Sequence, residues 1–289
     1  ILLGSMIRSN SVPRAFLLML VSSLSFSSMA VAVRQTLAIP IAWQVFSRWL
    51  VMLIVVTVCG VATRQLDLRP KGMRVLVIRG IAGFFGISSV FFAIGHLPLS
   101  IATVLSWSSP LFVALFSRWF LNERLPRRAL LFVGLAFLML TQVVGLKVEQ
   151  GFEMKLPWQG VAVAIFGAAA AGVAYTAVRA ASAKFTAPTI IFHFGWIATL
   201  LAVPWMLSAS VPFQPEWILG LTCVGLSATG GQIAMTLAYR WAPAPVVSTM
   251  SLLNAPLSAL FGYWAFGEVL EFRQGLGVLG LILSIAAVA

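Results

Sequence analysis

Charged side chains are scarce in this 289-residue chain, where they make up 9% of the residues against 61% that are hydrophobic. A soluble globular protein carries about 25% charged residues, so this chain has more apolar surface than a water-soluble fold could bury. A membrane-spanning helix needs about 20 consecutive apolar residues, and AFLLMLVSSLSFSSMAVAV at 15–33 is such a run. Barrel strands would instead alternate apolar and polar residues. The composition therefore predicts an all-α polytopic membrane protein.

The residues that usually perform catalysis or bind metals are also rare. Asp67 is the single aspartate, and the two histidines have no cysteine or carboxylate neighbours at metal-ligand spacing. Cys59 and Cys223 lie in apolar runs and are interpreted as packing residues. No P-loop is present. We therefore expect no enzyme activity, no metal and no cofactor.

The net charge of +12 has two interpretations, a nucleic-acid-binding surface or loop charges that orient membrane helices. The apolar runs favour the second, because lysine and arginine accumulate in cytoplasmic loops. We expect the lipid bilayer as the surroundings of the chain, a small molecule as its partner, no nucleic acid, and a monomer.

Apolar runs predict ten spans, at 15–33, 42–60, 74–95, 99–121, 128–146, 158–178, 188–208, 215–239, 243–266 and 272–289. When the N-terminus is placed in the cytoplasm, four of the 19 basic residues fall outside: Arg34, Lys147, Lys155 and Arg273. Arg48 and Arg79 remain inside predicted spans, and the other 13 are cytoplasmic. This bias predicts that both termini are cytoplasmic.

The chain repeats itself after about 145 residues. The tripeptide AVR occurs at 32–34 and at 177–179, and further matched pairs are Gly80 with Gly225, Gly86 with Gly231, Arg48 with His193, Pro110 with Pro256, and Glu123 with Glu268. Each half contains five predicted spans, and an odd number of crossings inserts the second half upside down. The pattern therefore predicts an inverted repeat, an architecture common among secondary transporters.

Two pairs of segments resemble the tandem modules of the EamA family in the drug/metabolite transporter superfamily. They are FSSMAVAVR with AGVAYTAVR, and FFAIGHLPLSIATVLSWSSPLFVALFSRWFLNERL with MTLAYRWAPAPVVSTMSLLNAPLSALFGYWAFGEVL. The chain departs from the family pattern at Phe26, where tryptophan is frequent, and at Asn122, where glycine often precedes the glutamate. We take 12–146 as the first repeat and 156–289 as the second.

The resemblance implies ten helices in two inverted five-helix repeats around a central cavity, and transport by alternating access. We expect a secondary transporter, an exporter or exchanger, that moves small metabolites such as amino acids across the inner membrane. The alternative is a membrane-embedded scaffold or interaction protein that has kept the transporter fold.

Prolines and glutamates recur near the middle and the end of two matching spans. Pro110 and Pro256 cannot donate a backbone hydrogen bond, so each interrupts its helix. Such a break is either a packing kink or a hinge that lines a wet cavity, and its recurrence in both halves favours the hinge. Glu123 and Glu268 close the same helices and are expected to pair with a nearby arginine or with backbone, rather than to couple ions.

Polar and aromatic side chains at mid-membrane depth are the candidates for binding a substrate. The predicted site residues are Trp107, Asn254, Arg48, Ser106, Thr103, Tyr175, His193, Gln232, Ser25 and Ser28. A serine in a membrane helix can instead bond to its own backbone. Trp43 and Trp49 are interpreted as part of an aromatic belt at the membrane surface.

Arg48 and His193 have open alternatives. Arg48 either serves the scaffold, by tying helices or reaching the outer interface, or provides a counter-charge for an anionic substrate. No carboxylate lies at mid-membrane depth, so His193 is the one plausible proton-coupling group, with a packed neutral histidine as the alternative.

Overall fold

The computed structural model describes residues 12–97, 99–123, 127–143, 157–209, 211–267 and 272–288. Within these ranges all regular structure is helical, as expected for a chain whose backbone groups must bond internally in lipid. The α-helices are α1 (Val12–Gln35), α2 (Ile41–Ala62), α3 (Arg74–His96), α4 (Leu99–Ser106), α5 (Ser109–Phe120), α6 (Arg127–Val143), α7 (Trp158–Ser182), α8 (Ala187–Leu207), α9 (Ile218–Trp241), α10 (Ala244–Met250), α11 (Asn254–Phe266) and α12 (Phe272–Val288). Two 3₁₀ turns, Pro215–Trp217 and Ser251–Leu253, precede α9 and α11.

The outer surface is suited to lipid. Six helical segments of the described chain are long and apolar enough to cross a membrane: Val12–Gln35, Ile41–Ala62, Trp158–Ser182, Ala187–Leu207, Pro215–Trp241 and Ala244–Phe266. Large apolar side chains point outward, among them Trp264 at 82% exposure and Leu131 at 74%. A water-soluble monomer rarely presents so many such residues together.

The two halves of the chain pack mainly against each other. In the most extensive contacts, α3 packs on α7, α1 on α9, α2 on α8, and α6 on α12. Smaller contacts join α5 to α7 and α11 to α1. The counterpart of each helix in α1–α6 is the helix six places later in the chain. When every helix is exchanged for its counterpart, the same pairs result: α3 on α7 becomes α9 on α1, and α5 on α7 becomes α11 on α1. The packing therefore follows the internal repeat seen in the sequence.

Two predicted spans are interrupted near their centres. The run 99–121 is divided into α4 and α5, and the run 243–266 into α10, a 3₁₀ turn and α11. Pro110 is the second residue of α5, and Pro256 is the third residue of α11. Proline is well accepted in the first turn of a helix, where its missing N–H has no helical partner. Each break consequently lies just before its proline.

Glycines allow close approach where the helices cross. A Cβ added at Gly86 would lie 3.2 Å from the backbone nitrogen of Ala171, and one at Gly231 would lie 2.9 Å from the ring of Phe26. A Cβ at Gly80 would come within 2.7 Å of Ile197, and one at Gly225 would overlap Val51. Gly80 and Gly86 thus lie where α3 crosses α8 and α7. Their matched partners in the repeat, Gly225 and Gly231, lie where α9 crosses α2 and α1.

The ends of α5 and α11 are built alike. Asn122 has φ of 55° and Gly267 has φ of 68°, the left-handed conformation that asparagine and glycine adopt most readily. The departure from the family pattern at Asn122 therefore preserves the backbone geometry.

Glu123, the residue after Asn122, joins three helices. Its Oε1 accepts a hydrogen bond of 2.7 Å from Nε of Arg179 on α7, and its Oε2 accepts one of 2.8 Å from the backbone N–H of Ala244 at the start of α10. Nη1 of Arg179 donates to the carbonyl oxygen of Tyr239 on α9 at 2.7 Å. The expected pairing of Glu123 with an arginine and with backbone is confirmed. Glu268 lies outside the described residues.

Aromatic residues near the start of α2 divide into two environments. Trp43 donates to the carbonyl of Val211 at 3.1 Å and packs against Phe213 at 5.3 Å between ring centroids. Trp49 is 1% exposed and lies 4.8 Å from Phe194. The expectation that Trp49 belongs to an aromatic belt is wrong, because its ring faces α8 instead of the membrane surface.

The glycine crossings can be tested by adding one methyl group. Gly225→Ala should lower the free energy of unfolding by about 1–3 kcal/mol, because the new Cβ overlaps the half-buried side chain of Val51. The measurement is the thermal unfolding midpoint and the monodisperse yield in detergent. Gly134→Ala is the matched control, since nothing lies within 4 Å of its added Cβ. Equal midpoints for the two variants would contradict the proposed packing role.

The Glu123 contacts lead to a second prediction. Glu123→Gln should lower the free energy of unfolding by about 1–2 kcal/mol, because Arg179 is 25% exposed and solvent partly compensates for its lost partner. A double-mutant cycle with Arg179→Gln should give a coupling energy of similar size. Glu216→Gln, at an exposed position before α9, should leave the midpoint unchanged. A coupling energy of zero would show that the three-helix junction does not depend on this pair.

Candidate functional site: a central cavity

The two broken helices meet the other helices of the core at one cavity of about 320 Å³. Residues from both halves of the repeat line it. Its aromatic and apolar wall includes Phe26, Trp107, Tyr175, Phe194 and Met235, and its polar lining is Arg48, Arg79, Ser106, Ser109, Gln232, Ser251, Asn254 and Ser258. A mostly apolar pocket with a few convergent polar groups is the usual form of a small-molecule site.

Six of the ten predicted site residues line this cavity: Trp107, Asn254, Arg48, Ser106, Tyr175 and Gln232. Both helix breaks open onto it, since Ser106 and Trp107 lie just before Pro110, while Asn254 lies just before Pro256. The side chains next to the breaks are thereby brought together from distant parts of the chain.

Four predicted residues are placed elsewhere or are not described. The hydroxyl groups of Ser25 and Ser28 donate to the carbonyls of Val21 and Leu24, one turn earlier, at 2.9 and 3.0 Å. This is the backbone bonding that serine commonly makes in a membrane helix. Thr103 lies in α4, and its side chain is outside the described part of the structure.

His193 lies apart from the cavity, beneath the loop between α2 and α3. Its Nε2 is 3.2 Å from the carbonyl oxygen of Asp67, and its Nδ1 accepts a hydrogen bond of 3.0 Å from the indole of Trp196. Thr189 on the same helix accepts from the backbone N–H of Asp67 at 3.0 Å. The position that matches Arg48 in the repeat therefore anchors a loop instead of facing the cavity.

Arg48 extends from α2 between two aromatic rings. Its guanidinium carbon lies 4.8 Å from the ring centre of Trp49 and 5.9 Å from that of Phe26. Its Nε is buried and has no hydrogen-bond partner. Because the side chain lines the cavity, it does not reach the outer interface in this conformation.

Arg79 is a charged cavity residue that is not among the ten predicted site residues. It extends from α3, is 2% exposed, and places its guanidinium 3.7 Å from the ring centre of Phe194. Its Nε, like that of Arg48, is buried without a hydrogen-bond partner. The available signal was an arginine inside an apolar run, which is costly in a membrane and therefore usually functional.

Unpartnered polar atoms concentrate around the cavity. Among the described residues, eight buried side-chain nitrogen or oxygen atoms have no hydrogen-bond partner. Four of them belong to cavity residues: Nε of Arg48, Nε of Arg79, Oγ of Ser106 and Oδ1 of Asn254. Buried polar groups are nearly always paired in folded proteins, so these four atoms make the cavity a candidate binding site. No group of three metal-ligating side chains occurs in the described ranges.

Comparison with known proteins agrees with this architecture. The sequence profile of the EamA-like transporter family matches residues 13–144 and again residues 158–289. The pseudopaline exporter CntI of Pseudomonas aeruginosa is 31% identical over 281 residues, which cover 94% of each chain. Human solute carrier family 35 member G1 is 24% identical over 249 residues, covering 82% of this chain and 68% of that one.

One solved crystal structure shares the fold. It superposes with a TM-score of 0.81 at 18% sequence identity and covers 97% of this chain and 96% of its own. The two profile matches cover both halves of the helical core, and the cavity lies between these halves. The chain is a member of the EamA-like transporter family.

Proposed function

We propose that the protein is a secondary transporter that exports a small metabolite across the inner membrane by alternating access. The observation that carries this proposal is the cavity between the repeats, lined by polar atoms that lack partners. Export is favoured over uptake because a relative that spans 94% of the chain is named an exporter. The proposal does not extend to the substrate of that relative.

The same proposal includes ten spans arranged as two inverted repeats, 12–146 and 156–289. If α4 and α5 are counted as one span, and α10 and α11 as another, the twelve described helices give ten spans. The exchange symmetry of the helix pairs supports a pseudo-twofold relation between the halves. With five spans in each half, that axis lies in the membrane plane, and such a symmetry lets one half move against the other around a fixed site.

Pro110 and Pro256 are proposed as hinges for this motion. Both follow the helix breaks that border the cavity, so a change in angle at either break would alter access to the site. A scaffold protein would have no use for the unpartnered groups at these breaks, and this favours transport over the scaffold alternative.

A carboxylate relay does not fit the described cavity, because its lining contains no aspartate or glutamate. His193 is bonded to a loop carbonyl and to Trp196, an environment that suits the packed histidine better than a proton carrier. We therefore propose that His193 stabilises the loop, while the driving ion or counter-substrate acts elsewhere.

Transport can be tested without knowing the substrate in advance. Cells that overproduce the protein should resist one or more inhibitory metabolites in a screen, and proteoliposomes should then carry out flux of that compound. Trp107→Ala and Asn254→Ala should each reduce the flux by about tenfold or more, since each removes a direct cavity contact. Trp264→Ala, which truncates an 82% exposed ring, is the matched control. Equal loss in all three variants would point to a folding defect, and full flux in the cavity variants would contradict the site.

The orientation is tested by single-cysteine labelling in a Cys59→Ala/Cys223→Ala background. Lys71→Cys lies between α2 and α3, and Gln214→Cys lies between α8 and α9, both at exposed positions. An impermeant maleimide added to whole cells should label position 214 but not position 71, because the basic loops remain in the cytoplasm. Permeabilised cells should show labelling at both. The opposite pattern would overturn the proposed orientation of the termini.

A further inference from the structure

We infer that the cavity binds a small organic di-acid, with one carboxylate on Arg48 and the other on Arg79. This inference deepens the proposed function, since it names the chemical class of the substrate at the same site. It rests on two arginines from different helices that line one cavity without any carboxylate to neutralise them.

Charge balance around the cavity is the first step. Arg48 and Arg79 are its only charged lining residues within the described chain. The ion pair between Arg179 and Glu123 lies outside the cavity lining. Asp67, the single aspartate, follows α2 in a loop. The two guanidinium charges are therefore left for a ligand to neutralise.

The aromatic contacts hold the arginines in place but do not neutralise them. Arg79 lies over Phe194, and Arg48 lies over Trp49. A ring face attracts a guanidinium while the in-plane N–H groups remain free to donate. Both Nε atoms are buried without an acceptor. An uncompensated buried charge strongly destabilises a protein. A ligand with negative charge would offset this cost by pairing with the two guanidinium groups when it binds.

Glycine at position 83 makes room for this arrangement. Gly83 follows Arg79 by one turn of α3, and a Cβ there would collide with Nη1 of Arg79 and press on the ring of Phe194. Gly83 itself also lines the cavity. The absence of a side chain at this position thus lets the guanidinium lie beside the open space.

Carboxylates match the geometry of the two charges. A guanidinium offers parallel N–H donors that fit the two oxygens of a carboxylate. The two guanidinium groups come from different helices, so each can pair with an acid group of its own. The cavity of about 320 Å³ is at the small end of ligand sites, which favours a short di-acid. Ser106 and Asn254 provide further unpartnered polar atoms in the same cavity.

The experiment measures ligand-induced shifts of the unfolding midpoint for the purified protein in detergent. The probes are succinate, glutarate and adipate, with succinamate and succinamide as matched compounds that carry one negative charge and none. At neutral pH, at least one of the di-acids should stabilise the wild type. Among the succinate series, stabilisation should fall as each negative charge is removed. Inorganic phosphate is included as a compact anion.

The arginine variants connect the effect to the site. Arg48→Gln and Arg79→Gln should each weaken the apparent Kd for the best di-acid by about tenfold or more, since a charged hydrogen-bonded contact is lost. The unliganded midpoint should stay equal or rise, because a buried unpaired charge is removed. Arg48→Lys and Arg79→Lys should retain part of the binding. Arg240→Gln, at the exposed end of α9, should bind like the wild type.

Several results would overturn the inference. Stabilisation by succinamide as strong as by succinate, stabilisation by phosphate alone, or no response to any di-acid would each exclude a di-acid site at the two arginines. Loss of binding that appears only with a lowered unliganded midpoint, and that lysine does not restore, would assign the arginines to the scaffold.

Failure of this inference is distinguishable from failure of the proposed function. Flux of a neutral or cationic metabolite in proteoliposomes, sensitive to Trp107→Ala, would leave the transporter standing and exclude the di-acid. Di-acid binding that depends on both arginines, without flux of any di-acid that binds, would support the inferred site and contradict transport.

Discussion

A polar group placed in a bilayer has to find its partner inside the protein, because lipid offers none. This constraint shapes almost every feature of the chain. It makes the described structure all-helical, since a helix satisfies its own backbone. It also returns many serine and threonine hydroxyls to carbonyls one turn earlier, as Ser25, Thr176 and Thr229 show. The few polar groups that escape this rule therefore carry functional information.

Half of the unpartnered buried atoms in the described residues belong to side chains that line the cavity between the repeats. There the helices break before Pro110 and Pro256, and the side chains of Ser106 and Asn254 are left with unpartnered atoms. Two arginines extend into the same space. Elsewhere the molecule treats charge differently, as where Glu123 and Arg179 satisfy each other and the adjoining backbone at a junction of three helices. Charge is thus paired at this helix end, whereas the two arginines at the central cavity have no carboxylate among the lining residues.

Close helix packing makes this arrangement possible without a hydrophobic driving force between helices. In lipid, van der Waals contact between backbones replaces that force, and small residues permit it. Equivalent helix crossings in the two halves depend on such contacts, between Gly86 and Ala171 in one and between Gly231 and Phe26 in the other. Gly83 acts in the same way, because the absence of a side chain there leaves room for Arg79 to lie beside the cavity. Packing and function thus depend on the same kind of residue.

The sequence by itself determined the membrane class, the helical fold and the internal repeat, because hydrophobic run length and repeated motifs can be read without coordinates. It indicated the family through the resemblance of two segment pairs to EamA modules. It also predicted Trp107, Asn254 and Arg48 as candidate site residues, since polar or bulky groups next to a proline break or inside an apolar run are visible without coordinates. Only the tertiary structure decided which of these residues share a cavity. His193 matches Arg48 in the repeat yet bonds to a loop carbonyl, whereas Arg79 has no polar counterpart at its matched position and still lines the site. The direction of a side chain depends on the rotation of its helix against distant neighbours, and that rotation is set by contacts between helices far apart in the chain.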